Sequence, residues 1–437
     1  MNLMPLSSRV ICIFLAFSLS STLALGQAGP RPEKKKNRCT VCLHHPKLME
    51  DFAFHHGKFP FLTADNEALT NHIDNQQILW IETKHFRIGC DLKKWKIPLA
   101  DKENYFNELS ALAEKFPAIN PKKTKTLDRW LRLHLFAERM EAFYQRFLQA
   151  MGFEDQDFGA LPGESLFEQC IQGPDFFEPL KEQFLKEGPW PERFPQEVGL
   201  GKYLGSPFRF EVLMLQHDRD FLTVKDHYLG FKNDYPQRHH VRFRAADGTT
   251  PSRSLWFGIS ATGGETPIKH DQHMHNALLN NVGSNMLNAF MLYRIDLPSW
   301  LDAGWGHLQC RNNSEVYNFF TLGEGQASVA KDVSNWAPVV RKLVQKDRAI
   351  SFAELGRATQ FSHLDFDAHL VSWSKVQFLS LHNAESFSNY VLALKLDPSQ
   401  SGNLSVQRKS MKSAYGWTLI QAEEAWKAWV LATYPVK

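Results

Sequence analysis

Along this chain the spacing of apolar positions switches between strand-like and helix-like periods, and the switches mark its elements. Residues 78–90 (ILWIETKHFRIGC) are dominated by β-branched and aromatic side chains and predict one or two strands. Residues 101–116 and 126–151 predict helices. In the second, Leu127, Trp130, Leu131, His134, Leu135, Glu138 and Ala142 fall three and four apart, and Phe143, Phe147, Leu148 and Met151 continue a broad apolar face. Thr126 is placed to cap its start and Gly152 to stop it. Residues 153–205, rich in Gly, Pro and Phe, read as a long irregular connection. A strand over 208–215, a helix over 218–228 stopped by Gly230, and strands over 239–245 and 254–259 joined through the turn Asp247-Gly248 come next. The rest reads as helix: a pair over 267–292 and 298–310, a long periodic stretch over 363–394, and two helices within 409–433 that include Trp426 and Trp429. This order predicts an α+β fold, a small mixed or antiparallel sheet followed by a helical C-terminal lobe.

Composition adds a compartment and removes some partners. Arg9 and the apolar residues 10–25, followed by Gly26 and Gln27, form the pattern of a secretory signal peptide cleaved after residue 26. The apolar run is shorter than the roughly 20 residues of a spanning helix, so the expected mature protein is secreted or periplasmic, with no membrane span. A net charge of +3 over 437 residues argues against a nucleic-acid partner. The basic run 31–38 (RPEKKKNR) reads as a solvated lead. The expected organisation is thus a signal peptide (1–26), a disordered lead with a Cys/His-rich segment (27–77), strands and helices with an irregular connection (78–205), an α+β core (206–310) and a helical lobe (311–437).

Two places carry candidate chemistry. Five cysteines follow residue 26: Cys39, Cys42, Cys90, Cys170 and Cys310. Cys39 and Cys42 stand at CxxC spacing, with His44 and His45 beside them and His55 and His56 about ten residues on. Two such thiols can close a tight disulfide or form half of a zinc site. Without a second CxxC, a zinc site has to recruit His44, His45, His55 or His56. Haem attachment needs His directly after the second Cys, and Leu43 intervenes.

The second place is the predicted helical pair, where His270, Asp271, Gln272, His273 and His275 precede the segment Trp300-Leu-Asp302-Ala303-Gly304. Together with the segment order from residue 78 onward, these motifs resemble the secreted peptidase MA-like proteins of bacteria, which share the gluzincin zinc-metallopeptidase fold. The resemblance implies a sheet packed on a thermolysin-like helix pair. In the family's His-Glu-x-x-His helix, two histidines four apart bind zinc and the Glu is general base, with a third ligand from a Trp-Leu-Asp-Glu-Gly motif. His275 matches the second histidine, which sets Asp271 at the first ligand, Gln272 at the general base and Ala303 at the third ligand. Gln272 has no titratable proton and Ala303 cannot coordinate.

The resemblance therefore implies a fold without the peptidase chemistry: a binding protein with a degenerate cleft for an extended peptide or a cell-envelope polymer. The alternative is a metal-dependent hydrolase built on an unusual set, His270, His273 and His275 with Asp271 or Asp302, and His239, His240 or His307 nearby. A third is a metal or redox role for the Cys39/Cys42 segment. The residue types suit zinc, copper or iron, with zinc a possible cofactor.

Overall fold

The computed structural model describes residues 38–152, 209–232, 237–244, 251–263, 267–289, 297–320, 334–396 and 403–436, with backbone alone for 237–244 and 251–254. The expected signal peptide and lead, the expected connection over 153–205 with Cys170, and the turn expected at Asp247-Gly248 lie outside the described residues. The chain divides after Arg38, and the larger unit, Cys39–Lys437, contains every described element.

Its N-terminal part holds a short helix α1 (Pro46–Asp51), a small hairpin of β1 (Pro60–Phe61) and β2 (Ala64–Asp65), and α2 (Asn66–His72), capped by the Asp65 side chain. The stretch expected to hold one or two strands holds two, β3 (Leu79–Glu82) and β4 (Phe86–Cys90), paired antiparallel. A second small ribbon joins β5 (Trp95–Lys96) to β6 (Thr126–Leu127), flanking α3 (Lys102–Lys115).

The long helix α4 (Arg129–Met151) starts later than its apolar pattern predicts. Thr126 is taken by the ribbon, and Asp128 is the cap, its carboxylate accepting the Leu131 N–H at 2.9 Å. Gly152 ends the helix at φ 70°, in the left-handed region that glycine enters at little cost. A strand β7 (Phe210–Leu215) leads into α5 (Asp218–Leu229), which Gly230 stops as expected.

Strands β8 (Gln237–Arg244) and β9 (Pro251–Ser260) complete a five-stranded sheet of order β3-β4-β7-β9-β8, parallel across β4-β7-β9 and antiparallel at both edges. Among the described side chains of β3, β4, β7 and β9, both faces of the sheet are buried, as a sheet with parallel centre requires. Ile81, Ile88, Val212, Met214, Phe257 and Ile259 enter the main core. The alternate residues Trp80, Leu213, Leu215 and Trp256 face a smaller core that Phe59, Phe61, Leu69 and Phe221 complete. Gly89 and Gly258 make room for the two tryptophans: a Cβ at the first would collide with the Trp80 ring, and at the second with that of Trp256.

Beyond the sheet run α6 (Asp271–Ala289) and α7 (Ser299–Asn313), then α8 (Trp336–Gln345), α9 (Phe352–Leu355), α10 (Phe366–His382), α11 (Ala384–Leu396), α12 (Leu404–Tyr415) and α13 (Leu419–Thr433). The periodic stretch 363–394 is two helices, broken at Asn383, whose backbone is extended. Residues 299–308 of α7 are all buried, so this part of the helix has no exposed face. It packs through its glycines, Gly304 against the Ser372 carbonyl of α10 and Gly306 against Asn280 of α6. The fold is mixed α+β with a helical C-terminal region. Among the described residues no helix is long and apolar enough to cross a membrane.

Candidate metal centre

Between the N-terminal segment and α4, one atom from each of Cys39, Cys42, His56 and His134 converges, all within 4.8 Å of one another. The first two come from a tight knuckle. Its backbone N–H groups at Val41 and Cys42 point at the Cys39 sulfur (3.4 Å each), and the His44 N–H points at the Cys42 sulfur (3.4 Å). Closing this turn puts Leu43 and His44 at φ 54°, a left-handed conformation that costs a non-glycine residue about 1–2 kcal/mol. Thr40 fixes the knuckle to α4 by donating its hydroxyl to both carboxylate oxygens of Asp128, at 3.0 and 3.1 Å, ahead of His134 on the same helix.

His56 arrives by another route. The backbone of His55 exchanges two hydrogen bonds with Glu82, each 2.9 Å, which extends the sheet beyond β3. That register lays the His56 ring against Trp80, where Nδ1 lies 2.8 Å from the carbonyl oxygen. A carbonyl only accepts, so Nδ1 carries the proton and Nε2 keeps its lone pair free, 3.4 Å from the Cys42 sulfur. His134 Nε2 lies 3.3 Å from the Cys39 sulfur. Phe54, Phe116 and Trp130 wall the site, their rings 5.3 and 5.0 Å from His134 and 4.9 Å from His56 respectively.

The arrangement fits a tetrahedral ion. Zinc bonds of about 2.3 Å to sulfur and about 2.0–2.1 Å to nitrogen set adjacent S···N separations near 3.5 Å, and the two observed are 3.3 and 3.4 Å. Two thiols with two imidazoles is a donor set suited to zinc. Four protein ligands in a mostly buried pocket would leave an ion no open position for substrate, the donor count of structural zinc sites. Burial lowers the His134 pKa and keeps that ring neutral. Hydrogen bonding to Cys39 holds Cys42 well below the usual thiol range. The same Cys42 bond, with burial, pushes Cys39 up. Binding a metal through both sulfurs would release the thiol protons that remain.

In this structure Cys39 and Cys42 carry free thiols. The neighbouring histidines do not complete the set. His44 turns its Nε2 to the Cys39 N–H at 3.2 Å, and His45 is exposed at the start of α1. His55 faces Glu82 at 3.5 Å. His56 is among the candidates that spacing offers. His134 is visible in the sequence only as a lone imidazole on an otherwise apolar helix face, 92 positions from Cys42, and no local spacing links the two.

At the helical pair the histidines diverge. His270 Nε2 meets Asp101 at 2.9 Å, and both His270 and His273 stack on Tyr317. His275 is buried beside Phe136, its Nδ1 without a hydrogen-bond partner. Burial, with Arg139 and Arg146 nearby, lowers its pKa well below the usual value. Asp271 is fully buried between Arg132, whose Nε donates at 2.9 Å, and Arg139 at 3.5 Å, with the Tyr105 hydroxyl at 3.3 Å. Gln272 accepts from Asn313, while Asp302, Ala303 and His307 are buried in α7. His239 and His240 fall on β8, in register with Trp256 and Leu255. Among the described residues, His270, Asp271, His273, His275 and Asp302 form no group that could hold an ion; Cys39, Cys42, His56 and His134 do.

A scan against protein-family models matches none, and searches of curated proteins and of solved structures return no match.

Proposed function

We propose that this chain is an exported, zinc-stapled binding protein of gluzincin-like architecture and not a peptidase. Its zinc is structural, held by Cys39, Cys42, His56 and His134, and fastens residues 39–56 to α4 and to the edge of the sheet. The observation that carries this reading is the convergence of those four ligand atoms within 4.8 Å, with His56 pre-set by the Trp80 carbonyl. The non-peptidase half rests on the residues matched to the catalytic set: Asp271 is neutralised by two arginines, Gln272 cannot act as base, and Ala303 offers no ligand. An extended peptide or a cell-envelope polymer is the ligand class, by analogy of fold alone.

The test is metal analysis combined with an activity assay on protein purified without added metal. About one zinc per chain and no cleavage of casein or a peptide library is the expected result. Chelator-sensitive cleavage would instead favour a hydrolase working through His270, His273 and His275.

A further inference from the structure

The geometry points to a thiol–disulfide switch in the Cys39–Cys42 pair, in which oxidation by a small-molecule disulfide closes the CxxC loop and expels the metal. This rests on the reading that the four-residue centre holds zinc. The two sulfurs lie on the same side of one turn, at most 4.8 Å apart, and each is a free thiol. A disulfide needs an S–S distance of about 2.05 Å with the Cα atoms about 4.4–6.8 Å apart, which a small shift within so short a loop supplies. Leu43 and His44, held left-handed by the knuckle, are the residues whose backbone relaxes when the sulfurs move.

Access comes from the His56 side. Cys39, Cys42 and His134 are buried, whereas His56 keeps part of its surface in solvent and abuts the Cys42 sulfur at 3.4 Å. Loss of the His56 bond uncovers Cys42 first. The Cys42 thiolate then attacks one sulfur of oxidised glutathione, releasing one glutathione thiolate and leaving a mixed disulfide. The Cys39 thiolate attacks the Cys42 sulfur of that bond and displaces the second glutathione thiolate. The two protein sulfurs give up two electrons, the two glutathione sulfurs gain them, and zinc leaves as the aqua ion, because a disulfide offers it no thiolate. His56 and His134 are left without a metal to share, and the segment 39–56 loses its tie to α4. The other two described cysteines, Cys90 and Cys310, are poor competitors because they are buried in the main core.

The experiment uses the full chain, reduced and analysed for zinc, then treated with excess oxidised glutathione. A chromogenic chelator reads released zinc, and peptide mapping reads thiol linkage. The switch predicts release of about one equivalent, in step with a Cys39–Cys42 disulfide, reversed by dithiothreitol with zinc re-uptake. Cys90→Ala and Cys310→Ala variants should respond as the wild type does. Retention of zinc with both thiols intact overturns the switch while leaving the zinc reading in place, as does release through any other cysteine linkage. A reduced protein that carries no zinc at the outset overturns both.

Discussion

His56 gives its Nδ1 proton to the carbonyl oxygen of Trp80 at 2.8 Å, and so points an unprotonated Nε2 at the Cys42 sulfur. Partners of this outer kind fix the tautomer and the aim of a metal-binding imidazole. Here the partner is main chain of the central sheet, so the orientation of one ligand is set by the fold itself. The other imidazole, His134, is fixed by α4, whose cap Asp128 also holds the knuckle through Thr40. The two sulfurs come from a strained turn, one imidazole from α4 and the other from a segment bonded to the sheet edge, and a bound metal would join them.

Replacing His134 by alanine separates ligand from bystander. The His134→Ala protein should lose zinc affinity by more than the roughly 10–100-fold that loss of an outer partner costs, and its melting temperature should no longer respond to a chelator. The His44→Ala protein should keep about one zinc, because His44 accepts the Cys39 N–H and is not among the four converging ligands. Metal analysis and thermal unfolding of the two variants, with and without chelator, check this.

Asp271 holds two buried guanidinium groups. Asp271→Ala leaves Arg132 and Arg139 without that carboxylate in the core, a change that costs about 3–5 kcal/mol. Urea unfolding should show that loss while zinc content stays at the wild-type value. A fall in bound zinc on this substitution would make Asp271 a ligand after all.

The buried pair Lys375–Glu423 joins α10 to α13, with the Lys375 ammonium 4.0 and 4.4 Å from the rings of Phe352 and Trp426. Burial, only partly offset by Glu423, lowers the Lys375 pKa to about 8. A folded-state value below the unfolded one means that the unfolded chain binds more protons in the interval, so stability rises with pH there. This group's penalty is constant below about pH 8 and fades towards the ordinary lysine value of 10.5. Relative to a Lys375→Met/Glu423→Leu double variant, the wild type should gain about 2 kcal/mol between about pH 8 and 10. Denaturant midpoints of the two proteins across that range give the comparison. Parallel curves would contradict the shifted lysine.

Much of the architecture is legible in the sequence because it rests on local periodicity. The apolar face of α4, the stops at Gly152 and Gly230, and the α6–α7 pair all follow from spacing and cap chemistry. Thr126 is not the cap expected from the sequence, since pairing with Lys96 claims it, a contact between segments about thirty residues apart. The metal centre is half legible. Cys39 and Cys42 announce themselves by spacing, but His134 belongs to a helix far along the chain, and only the packing of that helix on the knuckle brings it in. The helical pair misleads in the opposite way. Three histidines in six positions look like a ligand set, yet His270 and His273 turn to Asp101 and Tyr317, while His275 faces the core. Gly304 is read best by contact: its missing Cβ would sit 2.5 Å from the Ser372 carbonyl.

X-ray absorption at the zinc edge, on protein purified without added metal, tests the central claim most directly. The predicted first shell holds two sulfurs at about 2.3 Å and two imidazole nitrogens at about 2.0–2.1 Å. A shell of nitrogen and oxygen only, or protein without stoichiometric zinc, would contradict a centre built from Cys39, Cys42, His56 and His134.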